Sequence, residues 1–285
     1  MLFKNQYYYF IAGLADFSFD SMKLPYTTEE FREMLSEELK PVDLELINKY
    51  FLKQDNEHLL NLSQNKDADI KVEGKLLLEE FLDGVTNIKK DQPVNEKKIP
   101  PSFEEYIRKW LSYDDDSHEG GHIWEDMLTS LYMDYGMEVK NRLMSGWFEL
   151  NLNIGNVLSA IYARKYELPV AKFIVGNNSV AKLIREHSNS RDFGVSQELE
   201  YFDTLMRISE EQDIYEREKK IDRLRWDWLD ENTVFDYFNI EYIFAYLCKL
   251  QILERWVNLN AEEGEKVFRN LIDNLKNETK LPEGY

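Results

Sequence analysis

The sequence predicts an all-α fold, one or more multi-helix bundles in which diverged helical repeats have a place. Three observations carry that expectation. Glycine and proline number only 12 and 7 in 285 residues, and most stand between periodic segments. Apolar side chains recur at three- and four-residue spacing through much of the chain. Sustained alternation of apolar and polar residues, the mark of a half-buried strand, is missing.

Taken in order, the first helix signal is Thr27 with Glu30, a capping-box pattern ahead of Phe31, Met34 and Leu35. Pro41 suits the first turn of a second helix carrying Leu44, Ile47 and Phe51. A short helix is expected around Leu76–Leu82, then a loop from Lys89 to Pro101. Ser102 and Glu105 read as the cap of a helix with Tyr106, Ile107 and Trp110. Residues 121–143 and 147–166 are expected as helices parted near Ser145-Gly146. Pro169 opens a short helix that stops at Gly176-Asn177-Asn178, and Ser179 caps the next. Residues 196–231 read as one long charged stretch, with Asp213→Arg217 and Glu216→Lys220 as favourable pairs. Helices at about 239–259 and 261–277 close the chain. The first has Ile240, Ile243, Phe244, Leu247 and Leu250 on one face. The expected organisation is a single helical unit over 1–285, with any division into two lobes near 84–101.

Composition narrows the function. Hydrophobic residues make up 43% and charged residues 31%, which is a globular balance. The net charge of −19 disfavours non-specific binding to nucleic acid or anionic lipid and favours basic partner surfaces. The one cysteine, Cys248, lies in an apolar run and is expected as a core thiol, with no disulfide framework. The six tryptophans are expected in the core or at interfaces. Lys4 followed by the run Tyr7–Ala15 has the outline of a secretion signal. Its tyrosine-rich core and single lysine argue instead for a cytoplasmic chain. No run approaches the roughly 20 apolar residues of a membrane span.

One segment matches a catalytic pattern literally. His118-Glu119-Gly120-Gly121-His122 fits H-E-x-x-H, in which two imidazoles one helical turn apart hold zinc and the glutamate acts as general base. The paired glycines weaken a helix by about 2 kcal/mol relative to alanine. Glu125 and Leu128 stand where the longer versions of the motif place glycine and a third histidine; Glu138 could serve as third ligand, but no downstream E-x-x-x-D pattern accompanies it. The plainer reading is a polar loop, Asp114–Ser117, running into a helix with Asp116 and Glu119 as a capping box. Asp114–Asp116 as a magnesium site, and Gly176–Ser179 as an anion site, have similarly plain readings as loop and helix cap. No catalytic residue and no cofactor is expected; a zinc-dependent hydrolase using His118, Glu119 and His122 is the alternative.

Two segments carry a family likeness. Trp147-Phe148-Glu149-Leu150-Asn151-Leu152-Asn153-Ile154-Gly155-Asn156-Val157-Leu158, leading to Ala163-Arg164-Lys165, resembles a characteristic segment of the C/d-subunit family of V-type and A-type ATPases. The segment Phe238–Trp256 resembles that family's last long helix, with its Tyr-Leu, Lys and Glu-Arg positions in the expected order. The opening Tyr7–Leu14 is similar to that of a group of bacterial proteins associated with V-type ATPase genes. The resemblance implies an all-helical, non-catalytic component on the cytoplasmic face of the membrane. Its implied partners are the rotor shaft subunits and the proteolipid ring, between which it would couple rotation. On this reading Asn151–Asn156 shape the opening of a helix and hold no ligand.

Overall fold

A computed structural model describes residues 5–64, 76–93, 101–112 and 120–259. Every regular element among these residues is helical, as the spacing predicts. The helices are Tyr8–Ala12 (α1), Thr28–Glu38 (α2), Pro41–Gln64 (α3), Leu76–Lys89 (α4), Pro101–Ser112 (α5) and Gly120–Met137 (α6). They continue with Arg142–Lys165 (α7), the 3-10 helix Val170–Phe173, Ser179–Glu186 (α8), Phe202–Ser209 (α9), Ile214–Asn232 (α10) and Ile240–Asn258 (α11). Among the described residues, no helix is long and apolar enough to cross a membrane.

The chain gathers into two compact units. One comprises Met1–Leu44 with Asp222–Tyr285, the other Glu45–Ile221. The boundaries thus fall inside α3 and α10, and the stretch 84–101 lies within the span of the second unit.

In the first unit α11 is the buried element. Ile243, Phe244, Leu247, Leu250 and Leu253 are fully enclosed, and Cys248 packs among them with 1% exposure. α2 lies against this helix through Phe31 and Leu35. Its start follows the sequence signal: Thr27 and Glu30 form a complete capping box. Glu254 of α11 then accepts hydrogen bonds from the Thr28 amide, at 3.2 Å, and from the Thr28 hydroxyl. An aromatic cluster completes the core, with Phe17 edge-on to both Trp226 and Tyr246, and Phe31 beside Tyr246.

In the second unit α7 is central, packed by α6, α8, α9 and the 3-10 helix. Phe148 on α7 joins a core with Leu52, Phe103, Tyr106, Ile107, Leu128 and Tyr132. Gly136 on α6 is required there, because a Cβ at this position would lie 2.1 Å from the Phe148 ring.

Several boundaries differ from expectation, each for a local reason. α6 ends at Met137 and α7 starts at Arg142, so Ser145-Gly146 lies inside α7 rather than between helices. Asn141, itself buried, accepts from the Met144 amide and starts the helix early. Burial of Leu143, Met144, Trp147 and Phe148 on the resulting turns offsets the roughly 1 kcal/mol helix cost of Gly146. The charged stretch 196–231 is broken between Ser209 and Ile214. There Asp213 caps α10 by accepting from the amides of Tyr215 and Glu216, and Lys220 pairs with Glu211 rather than Glu216. Pro101 starts α5, which puts Ser102 within its first turn, while Glu105 pairs with Lys109 at 2.7 Å. Asn178, not Ser179, caps α8. α4 extends to Lys89, beyond the expected end at Leu82. The helix expected over 261–277 lies outside the described residues.

Candidate functional site

Among the described residues, a seam of buried polar groups runs along α7. Helix interiors disfavour asparagine because its amide competes with the backbone, yet α7 carries Asn151, Asn153 and Asn156. Each has a defined partner. Asn151 donates to the Trp147 carbonyl one turn earlier, at 2.7 Å. Asn153, 3% exposed, accepts from the Asn178 side chain at 2.8 Å. Asn156, 2% exposed, donates to the Val175 carbonyl and accepts from the Val175 amide, both at 2.8 Å. A side-chain amide here does what a neighbouring strand would do for Val175, satisfying both of its backbone groups.

The segment so held is the turn between the 3-10 helix and α8. Gly176 adopts a left-handed conformation, with φ of 77°, and Leu152 stands 3.0 Å from where its Cβ would project. Arg185 closes the turn by donating to the carbonyls of Ile174 and Gly176, at 2.8 and 2.7 Å. Asn178 accepts from the Ala181 amide at 2.9 Å, so its carbonyl occupies one of the donors that an anion at Gly176–Ser179 would use. Beside the seam, burial pushes the Tyr201 hydroxyl up to about 12, against a hydrogen bond with Asn153 that pulls it down. The expectation that Asn151–Asn156 shape a helix opening is therefore corrected. The opening is at Asn141, and these residues pin a loop.

A second clamp closes the far end of α7. The Arg164 guanidinium donates to the carbonyls of Ser188, Ser190 and Arg191, at 2.7, 2.5 and 3.1 Å. It lies 3.7 Å from the centre of the Phe193 ring. Burial lowers its pKa, opposed by the nearby charge of Asp192. A guanidinium filled by carbonyls in this way is a structural fastener.

Two buried carboxylates in the first unit each gather several donors. Asp222, 1% exposed, accepts from Arg225 at 2.7 Å, Arg255 at 3.2 Å and the Trp256 indole at 3.0 Å. Asp43 accepts from the Tyr7 hydroxyl at 2.5 Å and from Asn5 at 2.9 Å. Burial and the Asp43 carboxylate together hold the Tyr7 proton far above the usual tyrosine range.

Of the zinc-pattern residues, His118 and Glu119 lie outside the described residues, as does the Asp114–Asp116 loop. Gly120, Gly121 and His122 form the opening turn of α6. Glu125 is exposed, Leu128 is core, and Glu138 is exposed beyond the end of α6. Among the described residues, no group of three or more His, Cys, Asp or Glu side chains is placed to hold a metal ion.

A surface escapes sequence reasoning. Tyr8 and Tyr9 on α1 are 54% and 97% exposed. Val234, Phe235, Tyr237 and Phe238, between α10 and α11, are 53%, 87%, 62% and 36% exposed. The two places are joined: the Tyr7 amide donates to the Phe238 carbonyl at 2.7 Å, and the Tyr8 and Phe238 rings are 4.7 Å apart. A run of aromatics in the sequence reads equally as core or as surface, so the signal is present but ambiguous. Trp147 and Trp226 are core residues as expected.

The chain belongs to the DUF2764 family, described as a protein of unknown function, which it matches over residues 4–279. No curated protein and no solved structure matches it.

Proposed function

We propose that this DUF2764 protein is a non-catalytic component of a rotary V-type ATPase, coupling the central rotor shaft to the membrane proteolipid ring. The observation that carries the reading is the resemblance to the C/d-subunit family in two segments, 147–165 and 238–256. Those segments fall on α7 and α11, each of which carries a long buried face in its unit. A likeness held in the cores of both units is what shared architecture requires, because core positions set how helices pack. The clamps around α7 support a mechanical role as well. Asn156, Arg164 and Arg185 fasten loops to helices through six hydrogen bonds to backbone carbonyls and one from a backbone amide. A connector that transmits torque needs such stiffness.

The exposed aromatics on α1 and before α11 supply contact area of the kind that interfaces use. The protein would then sit in the cytoplasm, peripheral to the membrane through its complex. Purification of the tagged chain under conditions that keep the rotary complex intact tests this directly. Shaft and proteolipid subunits are expected in the eluate at stoichiometric levels, and their absence would refute the assignment.

A further inference from the structure

The aromatic surface of the first unit has a definite charge. Between Arg225 and Lys249 the chain has no lysine or arginine, but carries Asp227, Asp230, Glu231, Asp236 and Glu241. Between Lys4 and Lys23, the stretch containing α1, basic residues are again missing and Asp16 and Asp20 are present. Of these carboxylates Glu241 is buried, Asp230 is paired with Lys249 and Asp20 with Arg223. That leaves Asp16, Asp227, Glu231 and Asp236 to give the exposed rings an acidic surround.

The surface is also set in advance. Asp236 accepts from the Asn239 side chain at 2.5 Å, and its amide donates to the Thr233 carbonyl at 2.9 Å. Thr233 and Asn232 donate their side chains to the carbonyls of Leu229 and Trp228, at 2.6 and 2.9 Å. Asn239 caps α11 by accepting from the Tyr242 amide. Phe235 and Tyr237 are thus displayed on a loop anchored through Asn232, Thr233, Asp236 and Asn239, which lowers the conformational entropy to be lost on binding.

We propose that this surface, formed by α1 and residues 233–238, docks a lysine- or arginine-rich amphipathic helix of a partner protein. Charge complementarity selects that occupant. The ridges of such a helix leave grooves for protruding rings, and its cations reach the surrounding carboxylates or lie over the ring faces. A second copy of the chain in a two-fold arrangement would bring two acidic surrounds together. An anionic lipid surface would be repelled for the same reason. The inference rests on this surface alone and holds whether or not the partner belongs to a rotary ATPase.

The test is titration of the full chain with a labelled Leu/Lys amphipathic helical peptide, followed by fluorescence anisotropy at physiological salt. Saturable one-to-one binding is expected. Phe235→Ser with Tyr237→Ser, a pair that leaves the charge unchanged, is expected to weaken it at least about tenfold, as loss of interface aromatics does. Glu231→Gln is expected to weaken it about threefold and to flatten its salt dependence. Glu33→Gln with Glu37→Gln, which removes two exposed charges from α2, is expected to change nothing beyond experimental error. Circular dichroism checks that each variant keeps its helix content. Equal binding by the serine pair would show diffuse electrostatic attraction and overturn the proposal. So would an equal loss in the α2 variant, or a failure to saturate. A dimer in sedimentation that the serine pair abolishes would assign the surface to a second copy and also overturn it.

Discussion

The two units bury polar groups around their central helices in opposite ways. α7 carries neutral amides inward, and each meets a backbone or another amide: Asn156 on Val175, Asn153 on Asn178. α11 is apolar through its middle, and its unit sets carboxylates against cationic, hydroxyl or indole partners at Asp222, Asp43 and Glu254. A buried amide has a donor and an acceptor on one rigid plane, so it fixes the register of the segment it touches. A buried carboxylate only accepts, so it gathers several donors around a point. One unit is thus held by a seam, the other by nodes.

The strongest way to break this comparison is to attack the apolar core that both polar devices presuppose. Phe148→Ala is expected to destabilise the second unit by about 3–5 kcal/mol. Gly136→Ala, which drives a methyl into that ring, is expected to cost about 1–3 kcal/mol. The double variant should cost clearly less than the sum, because the truncated ring makes room for the methyl. Urea unfolding of all four proteins measures the coupling.

Seam and node can then be compared directly. Asn156→Ala leaves both backbone groups of Val175 without their partner and is expected to cost about 2–3 kcal/mol. Asp222→Ala is expected to cost about 2–3 kcal/mol, below a fully enclosed ion pair because Arg225 and Arg255 reach water. Hydrogen exchange separates the two. The first should release amides around the Gly176 turn, the second those of α10 and the end of α11. If both variants loosen the same amides, the two devices are not distinct.

Both central helices open on a buried asparagine, Asn141 for α7 and Asn239 for α11. Each is expected to cost about 1 kcal/mol, and at most about 2, on replacement by alanine. Thermal unfolding is sufficient to measure this.

The smallest effect is expected in alkali. Tyr201 keeps its proton in the folded chain up to about pH 12, whereas an unfolded tyrosine releases it near 10. Between those values the unfolded state binds fewer protons, so stability falls as pH rises through the window. Tyr7 and Tyr246 in the first unit are shifted higher still, mainly by burial, and extend the loss beyond it. Tyr201→Phe should remove part of the decline in urea midpoint between pH 10 and 12. An unchanged slope would place the Tyr201 hydroxyl in water.

Much of this fold is readable locally. The Thr27–Glu30 capping box, Pro41 at the start of α3 and the apolar face of α11 all depend on neighbours within one or two turns. The helix at Arg142–Lys165 is different. Ser145-Gly146 reads as a break and Asn151–Asn156 as a polar opening until their distant partners are known. Val175 and Asn178 are 19 and 25 residues from the asparagines they bond, and nothing in the local pattern announces that pairing. The exposed aromatics fail for a related reason, since helical spacing alone does not say which face is covered. Asp213 shows the reverse case: a side chain well placed for an ion pair is used as a cap, because unpaired amides at a helix start are the nearer demand.

Coupling itself is tested by membrane vesicles prepared with and without the protein, in which ATP hydrolysis and ATP-driven ion transport are measured together. A rotor connector predicts that its removal leaves hydrolysis largely in place while transport collapses, and that adding back the purified chain restores the ratio. Transport and hydrolysis both unchanged after complete removal would contradict that account.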